Sequence, residues 1–198
     1  MEFSNVNFLK SETMDIINPY YAEQMKKRGI NVNLKIVEHF FIPSETDLEI
    51  ITKSIQDCNE IVDIGSGYGL LINKLAKQNP EIKFLGIDTM YSDKNFQLPK
   101  VEKNVRFEFN GIEAMTSKRF NTRRKRFDGV ICCWMPHQSD WREMLSCLAN
   151  KKIVLILSID FATGTTAVYT GMKQFGFEME KAWTSNKSII QIWNKKIN

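Results

Sequence analysis

The sequence has few of the residues that hold metal ions in proteins. Among its 198 residues there are two histidines and four cysteines, and no two cysteines have the C-x-x-C spacing. Because zinc sites are built from such pairs or from His/Cys clusters, no metal site is predicted. Cysteines left as free thiols in a core are typical of proteins from a reducing compartment.

Long apolar runs are missing too. The most apolar segment, Ile153–Leu157, is far too short to cross a bilayer. The segment Met1–Glu12 lacks the apolar core of a signal peptide. We therefore expect a cytoplasmic protein without a membrane partner. The formal net charge of +4 is mild and does not by itself indicate a nucleic-acid partner.

The most informative stretch is Ile61–Gly69, which reads IVDIGSGYG. Its branched, apolar start is typical of a strand that is covered on both faces of a parallel sheet. Glycines follow at Gly65, Gly67 and Gly69, where the missing Cβ lets a ligand approach the backbone. A helix over residues 68–78 would direct its first N–H groups at the same turn. This combination predicts a nucleotide site at the carboxyl end of a sheet.

The spacing of the glycines distinguishes one class of nucleotide from another. The dinucleotide fingerprint G-x-G-x-x-G requires glycine at position 70, where the chain has Leu70. A second predicted strand, residues 82–87, is followed by Asp88, about 20 residues after the glycines, where an acid can bind both hydroxyls of a ribose. The observed pattern, D-x-G-x-G-x-G from Asp63, resembles motif I of the class I S-adenosylmethionine-dependent methyltransferases.

The order of the remaining strands supports the same resemblance. Strands are predicted over residues 105–109, 127–133 and 152–159, the first at a sheet edge because one of its faces is more polar. Residues 177–183 and 188–193 alternate around a short turn and form a hairpin. A closing antiparallel hairpin is typical of class I methyltransferases, and an NAD-type Rossmann domain lacks it. The resemblance implies an α/β fold, a seven-stranded and mostly parallel sheet with helices on both faces.

Helices are expected between these strands. Ser44 and Asp47 approximate a capping box at the start of one helix, just before the motif I strand. A second helix is predicted over residues 140–148. A third is predicted to follow the loop 160–164 and to end near Phe175.

The resemblance also implies a division of the chain. Residues 44–198 would form the domain that binds S-adenosylmethionine, and residues 1–43 a helical extension. Within this extension, the spacing of apolar residues predicts a helix over Thr13–Lys27. Segments before motif I often cover the cofactor in this family, so Tyr20 and Tyr21 are candidates for a lid. Packing of these aromatic rings against the sheet is the alternative.

A set of cofactor-binding residues follows from the resemblance. They are the motif I residues, the acid after the second strand with its neighbour, the residues after the third strand, and the end of the fourth strand: Asp63, Gly65, Ser66, Gly67, Tyr68, Gly69, Asp88, Thr89, Asn110, Gly111 and Cys133. The family has an acid or amide that meets the adenine amino group after the third strand. Asn110 is the candidate for that role, and Glu113 is the second choice.

The residues after the fourth strand are expected beside the transferred methyl group. DNA and RNA amino-methyltransferases often have Asp/Asn-Pro-Pro-aromatic there, whereas this chain has Cys133-Trp134-Met135-Pro136. Trp134 and Met135 could wall the methyl group, and His137 could act as a base because neutral imidazole is available near pH 7. Trp134 and His137 are the predicted catalytic residues. The alternatives are a Trp134 that only packs under the next helix and a His137 that only faces solvent.

The methyl acceptor stays open between a small molecule, RNA and protein. The segment Lys118–Arg126 contains six basic residues and is predicted to be a loop. Such a run could hold RNA phosphates, or it could be an ordinary solvated loop. A catalytically silent subunit that binds S-adenosylmethionine is a further alternative, because the motif after the fourth strand is unusual.

Overall fold

The computed structural model describes residues 41–89, 101–112 and 126–196. Four predictions therefore lie outside the described residues: the helix Thr13–Lys27, the lid residues Tyr20 and Tyr21, the second adenine candidate Glu113, and the basic run as far as Lys125. Within the described part, no helix is long and apolar enough to span a membrane.

The described chain contains three α-helices and seven strands. The α-helices are α1 (Glu45–Ile55), α2 (Leu70–Gln78) and α3 (Arg142–Leu148). The strands are β1 (Glu60–Ile64), β2 (Lys83–Asp88), β3 (Val105–Phe109), β4 (Phe127–Cys133), β5 (Ala149–Ser158), β6 (Phe177–Ser185) and β7 (Ser188–Lys195). Two short 3-10 helices, Thr166–Thr170 and Lys173–Phe175, lie between β5 and β6.

The seven strands form one sheet in the order β3-β2-β1-β4-β5-β7-β6. The pairs among β1 to β5 are parallel, and β7 is antiparallel to both β5 and β6. The predicted architecture is confirmed, including the edge position of β3 and the closing hairpin. Because β1 to β4 are parallel, their carboxyl ends lie at one edge of the sheet, where the predicted site residues follow them.

Apolar side chains pack on both faces of this sheet. On one face Ile51 of α1 and Ile72 of α2 are fully buried against strand residues such as Ile61. On the other face Leu145 of α3 packs in a second cluster that includes Trp193. The helices therefore cover both faces, as expected for a sheet whose central strands are apolar on both sides.

A predicted capping box begins α1 and also ties it to the terminal hairpin. The N–H of Asp47 donates to Ser44 Oγ at 3.1 Å, and the N–H of Ser44 donates to Asp47 Oδ2 at 2.8 Å. From β6, Trp183 Nε1 and Ser185 Oγ each donate to the same carboxylate at 2.7 Å. The box is confirmed, and its acid has a second role that joins distant parts of the chain.

The predicted helix between β5 and Phe175 is wrong. The two 3-10 helices are separated by Gly171, which has φ 77° and ψ −153° and so cannot continue a helix. A Cβ at this glycine would lie 1.9 Å from the Trp193 ring. The chain is interrupted there because its backbone packs directly on that ring, a contact that the local sequence does not reveal.

Candidate functional site

The glycine-rich turn follows β1 and is held against the end of β2. The N–H groups of Gly65 and Ser66 both donate to the carbonyl oxygen of Ile87, at 2.8 and 3.1 Å. Gly65, Gly67 and Gly69 have φ values of 74°, 52° and 71°, the left-handed region that glycine adopts most readily. The predicted order of strand, glycine turn and helix is confirmed.

The three glycines differ in what surrounds them. Among the described residues, a Cβ added at Gly65 or Gly67 would meet no atom within 4 Å, so this part of the chain leaves the turn open at both positions. At Gly69 a Cβ would lie 2.3 Å from the Phe107 ring, so packing alone requires a glycine. Gly69 is also the left-handed N-cap of α2, which begins at Leu70 rather than at the predicted residue 68. A ligand therefore has room to approach the backbone at the first two glycines.

The acid that ends β2 is joined directly to this turn. Asp88 Oδ2 accepts a hydrogen bond from the N–H of Gly67 at 2.9 Å. The Asp88 side chain is partly exposed, and the following Thr89 is exposed. The carboxylate predicted to bind a ribose is thus held beside the open backbone while it remains accessible.

A second acid lies beneath the turn and is poorly satisfied. Asp63, inside β1, is 2% exposed, and its Oδ1 has no hydrogen-bond partner among the described residues. Burial raises the pKa of Asp63 to about 8, and the negative charge of Asp88 adds to the shift. A cationic group bound nearby would favour the carboxylate form. The orphaned acid therefore fits a ligand that carries positive charge.

The residues after β3 form a tight local turn at the same edge. The N–H of Gly111 donates to the Asn110 side-chain oxygen at 3.0 Å, and both residues are partly exposed. The Asn110 oxygen thus has an internal donor in this structure. The role of Asn110 and Gly111 at the adenine stays a prediction.

The backbone is strained directly after β4, at Trp134. Cys133 is half-buried, and burial raises the pKa of its thiol well above the usual range. Trp134 has φ 55°, which is rare for a bulky residue. Its N–H donates to the carbonyl of Ile156 at 2.8 Å, and its indole Nε1 donates to Ser188 Oγ at 3.1 Å. The Trp134 backbone is therefore bonded to β5, and its ring to the start of β7.

The next residues separate into core and surface. Met135 is 1% exposed, and its sulfur accepts a hydrogen bond from the Trp141 N–H at 3.3 Å. The prediction that Met135 walls the methyl group is therefore wrong, since the side chain belongs to the core beneath α3. His137 is exposed in the following turn, which leaves it accessible to an acceptor and to solvent alike.

Comparison with known proteins bears on the fold that carries this site. A family model described as "Putative methyltransferase" matches residues 57–116, less than a third of the chain. Human N-acetylserotonin methyltransferase in complex with S-adenosylmethionine is similar in structure, with a TM-score of 0.55 and 13% identity over 76% of this chain and 52% of that chain. An O-methyltransferase family protein from Burkholderia thailandensis has a TM-score of 0.55 and 11% identity, over 77% and 56%. The chain has the class I methyltransferase fold.

A third similar structure aligns with this chain over nearly the whole length of both proteins. The N-terminal domain of EvdMO1, in the presence of S-adenosylhomocysteine and D-fucose, has a TM-score of 0.55 and 14% identity, with 90% of this chain and 96% of that chain covered. By contrast, the chain spans only about half the length of the first two structures. No curated protein sequence matches it significantly.

Within the methyltransferase fold, the ends of β1 to β4 bring the predicted cofactor residues to one edge of the sheet. Their contacts with a cofactor, including that of Gly69, stay predictions, as do the roles of Trp134 and His137. Three further residues at this edge were not predicted: Phe107, Phe161 and Ser188. Phe107 is recognisable only through the register that pairs it with Gly86, and the backbone strain at Phe161 leaves no signal in the sequence.

Proposed function

We propose that the protein is an S-adenosylmethionine-dependent methyltransferase whose cofactor binds at the glycine turn. The observation that carries the proposal is the open backbone at Gly65 and Gly67, with Asp88 bonded to it and the orphaned Asp63 beneath it. The fold supports the proposal, as do the methyltransferase family model and the similar structures described with S-adenosylmethionine or S-adenosylhomocysteine.

The residues present fit this cofactor. Bound S-adenosylmethionine supplies a methyl group on a positively charged sulfur. Gly65 to Tyr68 would contact it through the backbone, and Asp88 with Thr89 would hold its ribose hydroxyls. Asp63 would contribute negative charge close to the cationic part of the ligand, where the low dielectric strengthens the attraction.

We further propose an oxygen nucleophile on a small molecule as the acceptor. The O-methyltransferase family protein among the similar structures supports this choice. Trp134, fixed by two hydrogen bonds, would align the acceptor, since positioning supplies much of the acceleration of a displacement. The exposed imidazole of His137 would accept the proton that the acceptor hydroxyl loses as its oxygen takes the methyl group and the bond from that methyl group to sulfur breaks.

Calorimetric titration tests the cofactor assignment. The wild-type protein is expected to bind S-adenosylmethionine and S-adenosylhomocysteine and not NAD. Gly67→Leu should weaken binding by roughly 100-fold, on the order of 3 kcal/mol, because its side chain occupies the open space. Gly176→Leu is the matched control, since Gly176 also has positive φ, of 81°, but precedes β6 at the opposite edge of the sheet. Equal affinities in the two variants would refute the site.

A catalytically silent cofactor-binding subunit is the second candidate. It is favoured by Met135, whose burial removes one predicted wall of the methyl site. Transfer of a labelled methyl group to pools of small metabolites, RNA and protein separates the candidates. Label in the small-molecule pool that falls with Trp134→Ala, at unchanged S-adenosylmethionine affinity, is the expected result. Label only in RNA would refute the small-molecule acceptor and indicate an RNA acceptor held by the basic run Lys118–Arg126. Label in no pool would favour the silent subunit.

A further inference from the structure

The Trp134 side chain reaches across the sheet to the terminal hairpin. Its indole Nε1 donates to Ser188 Oγ at 3.1 Å, and Ser188 begins β7. In the sheet β5 lies between β4 and β7. Because neighbouring strands are about 4.8 Å apart, the ring extends over β5 and away from β1, the strand that leads into the glycine turn. A ligand at the glycine turn and the Trp134 ring would thus lie on opposite sides of the end of β4.

Packing alone does not explain a serine at position 188. Side chains two residues apart on a strand share a face, so Ser188 points to the same side of the sheet as Ile190 and Ile192. All three residues are 0% exposed. A buried hydroxyl without a partner costs free energy in apolar surroundings, whereas another isoleucine would not. The bond from the Trp134 indole gives this hydroxyl its partner, so Trp134 accounts for the serine.

Ser188 is a firm anchor because the tip of the hairpin is fixed on two sides. Toward β5, the N–H of Ile159 donates to the Lys187 carbonyl at 2.9 Å. Toward α1, Ser185 donates to the Asp47 carboxylate at 2.7 Å, and Ser185 is the partner of Ser188 across the hairpin. The hydroxyl that holds the indole therefore has a position set by three separate parts of the chain.

The backbone of Trp134 is fixed as well. Its φ of 55° lies in the left-handed region, which a bulky residue keeps only where its surroundings hold it. Its N–H is bonded to the Ile156 carbonyl, and the residue packs against the cluster that contains Ile156 and Ile190. Trp134 is nevertheless only partly buried. It can therefore offer a ligand a surface whose orientation is set in advance.

We propose that Ser188 is a positioning residue for Trp134 and, through the indole, aligns the methyl acceptor. This role rests on the methyl transfer proposed above and assigns the terminal hairpin to the acceptor side of the reaction. Alignment supplies much of the acceleration of a displacement. Because the ring extends away from the glycine turn, loss of the bond should slow methyl transfer and leave cofactor affinity unchanged.

The first test observes the ring directly. The chain has four tryptophans, so the full-length protein labelled with 5-fluorotryptophan should give four fluorine resonances, and Trp134→Phe identifies the resonance of Trp134. In protein saturated with S-adenosylhomocysteine, Ser188→Ala should shift or broaden this resonance. Ser188→Thr, which keeps the hydroxyl, should restore it.

Ser54→Ala is the matched control. Ser54 is also buried, at 7% exposed, but its hydroxyl donates to Glu180 at 2.9 Å rather than accepting from a tryptophan. The Trp134 resonance should keep its wild-type position and width in this variant. A change of equal size in Ser54→Ala would show that the ring responds to any lost buried hydroxyl, and the assigned role of Ser188 would be rejected.

The second test measures transfer of a labelled methyl group to the pool of small metabolites at varied concentrations of S-adenosylmethionine. Ser188→Ala should lower the maximal rate about tenfold, because a misplaced acceptor reacts slowly, and leave the KM for S-adenosylmethionine within about twofold. Ser188→Thr should recover the rate, and Ser54→Ala should keep it. A rise in KM at an unchanged maximal rate would assign the bond to the cofactor side and overturn the proposal.

Trp134→Phe completes a double-mutant cycle. Phenylalanine keeps an aromatic ring but lacks the indole N–H, so it breaks the same bond and leaves the hairpin intact. If Ser188 acts through Trp134, Ser188→Ala should slow transfer no further in the Trp134→Phe background. Equal losses in both backgrounds would refute this route. If Ser188→Ala did not fold, a wild-type rate in Trp134→Phe would still refute it.

The remaining outcomes separate this role from the proposed function. A wild type that transfers methyl groups, with a wild-type rate and resonance in Ser188→Ala, overturns the positioning role and leaves the methyltransferase assignment intact. A wild type that binds S-adenosylmethionine but transfers no methyl group refutes acceptor alignment together with catalysis. Failure of the wild type to bind S-adenosylmethionine contradicts the proposed function itself.

Discussion

Two aspartates of this protein are almost equally exposed to solvent, and yet their pKa values are shifted in opposite directions. Asp47 is 1% exposed and Asp63 is 2% exposed. Burial alone would raise the pKa of Asp47, but hydrogen bonds from Trp183, Ser185 and Ser44 outweigh it and hold the pKa below its usual value. Asp63 has an oxygen without a donor, and burial raises its pKa to about 8.

The difference shows what each acid is for. Asp47 has its donors within the fold, so it joins the start of α1 to the hairpin and has no need of a ligand. Asp63 lies under a glycine turn that is open at Gly65 and Gly67, so a bound cation would be its missing partner. Burial does not distinguish a structural acid from a ligand-binding one; the supply of hydrogen-bond donors does.

The largest effect is expected from Asp47→Ala. The change leaves Trp183 Nε1 and Ser185 Oγ without their acceptor and removes the capping box of α1. We expect a loss of about 3–5 kcal/mol in the free energy of unfolding, measured by urea denaturation near pH 7. Affinity for S-adenosylmethionine should stay within about twofold of wild type. A stable variant with impaired cofactor binding would reverse the assigned roles of the two acids.

The wild-type contribution of Asp47 should also depend on pH. Its folded pKa is lowered, so the stabilisation is present above the unfolded value of 3.8 and is lost as the pH falls through the folded pKa. Asp47→Ala should therefore differ less from wild type in strong acid than at neutral pH.

Asp63→Asn should change stability in the opposite direction, since it should make the protein more stable. The pKa of Asp63 rises from 3.8 to about 8 on folding, so its contribution to stability is complete below about pH 4 and is lost as the pH rises to about 8. Without ligand, Asp63→Asn should be more stable than wild type at about pH 8, by roughly 2–4 kcal/mol. Urea denaturation at about pH 5 and about pH 8 measures the difference.

The same variant should bind S-adenosylmethionine more weakly, because the negative charge is gone. Glu49→Gln on α1, which changes an exposed acid, should leave both quantities unaltered. If Asp63→Asn kept the wild-type dependence of stability on pH, the unpaired acid would not be the titrating group.

The smallest effect is expected from Asp88→Asn. The amide oxygen can still accept the Gly67 N–H, but the charge that helps to raise the pKa of Asp63 is removed. The pKa of Asp63 in the folded protein should fall, so the loss of stability that begins near pH 4 should end at lower pH and be smaller in total. Cofactor affinity should drop by about 1–2 kcal/mol, the scale of hydrogen bonds to a charged group. Calorimetry showing unchanged affinity would count against Asp88 as the ribose acid.

Most of the fold could be predicted because its signals are local. The alternation of residues 105–109 and the apolar run within residues 127–133 mark two strands whose bounds agree with β3 and β4. The Ser44–Asp47 spacing marks a helix start, and the glycine turn marks the change from strand to helix. The 3-10 segment around Gly171 could not be predicted, because its interruption is caused by Trp193, which comes later in the chain and approaches only in the folded state.

The candidate site was predictable in part for the same reason. Residues at or just after strand ends, such as Asp88 and Trp134, could be assigned to one edge once the strands were recognised as parallel. The burial of Met135 and the exposure of Phe161 could not be predicted, because the sequence of a loop does not show which of its apolar side chains face the core.

The sequence by itself determined a class of chemistry: a glycine turn after a buried strand, with an acid after the next strand, because these features depend on neighbours within a few residues. Only the tertiary structure decided which glycine faces open space and which faces Phe107, and which buried aspartate has donors. It also decided that the loops after β4 and β5 are joined by backbone hydrogen bonds through Gly164. These properties arise from contacts between residues far apart in the chain, whose distances are set only when the sheet and its covering helices pack together.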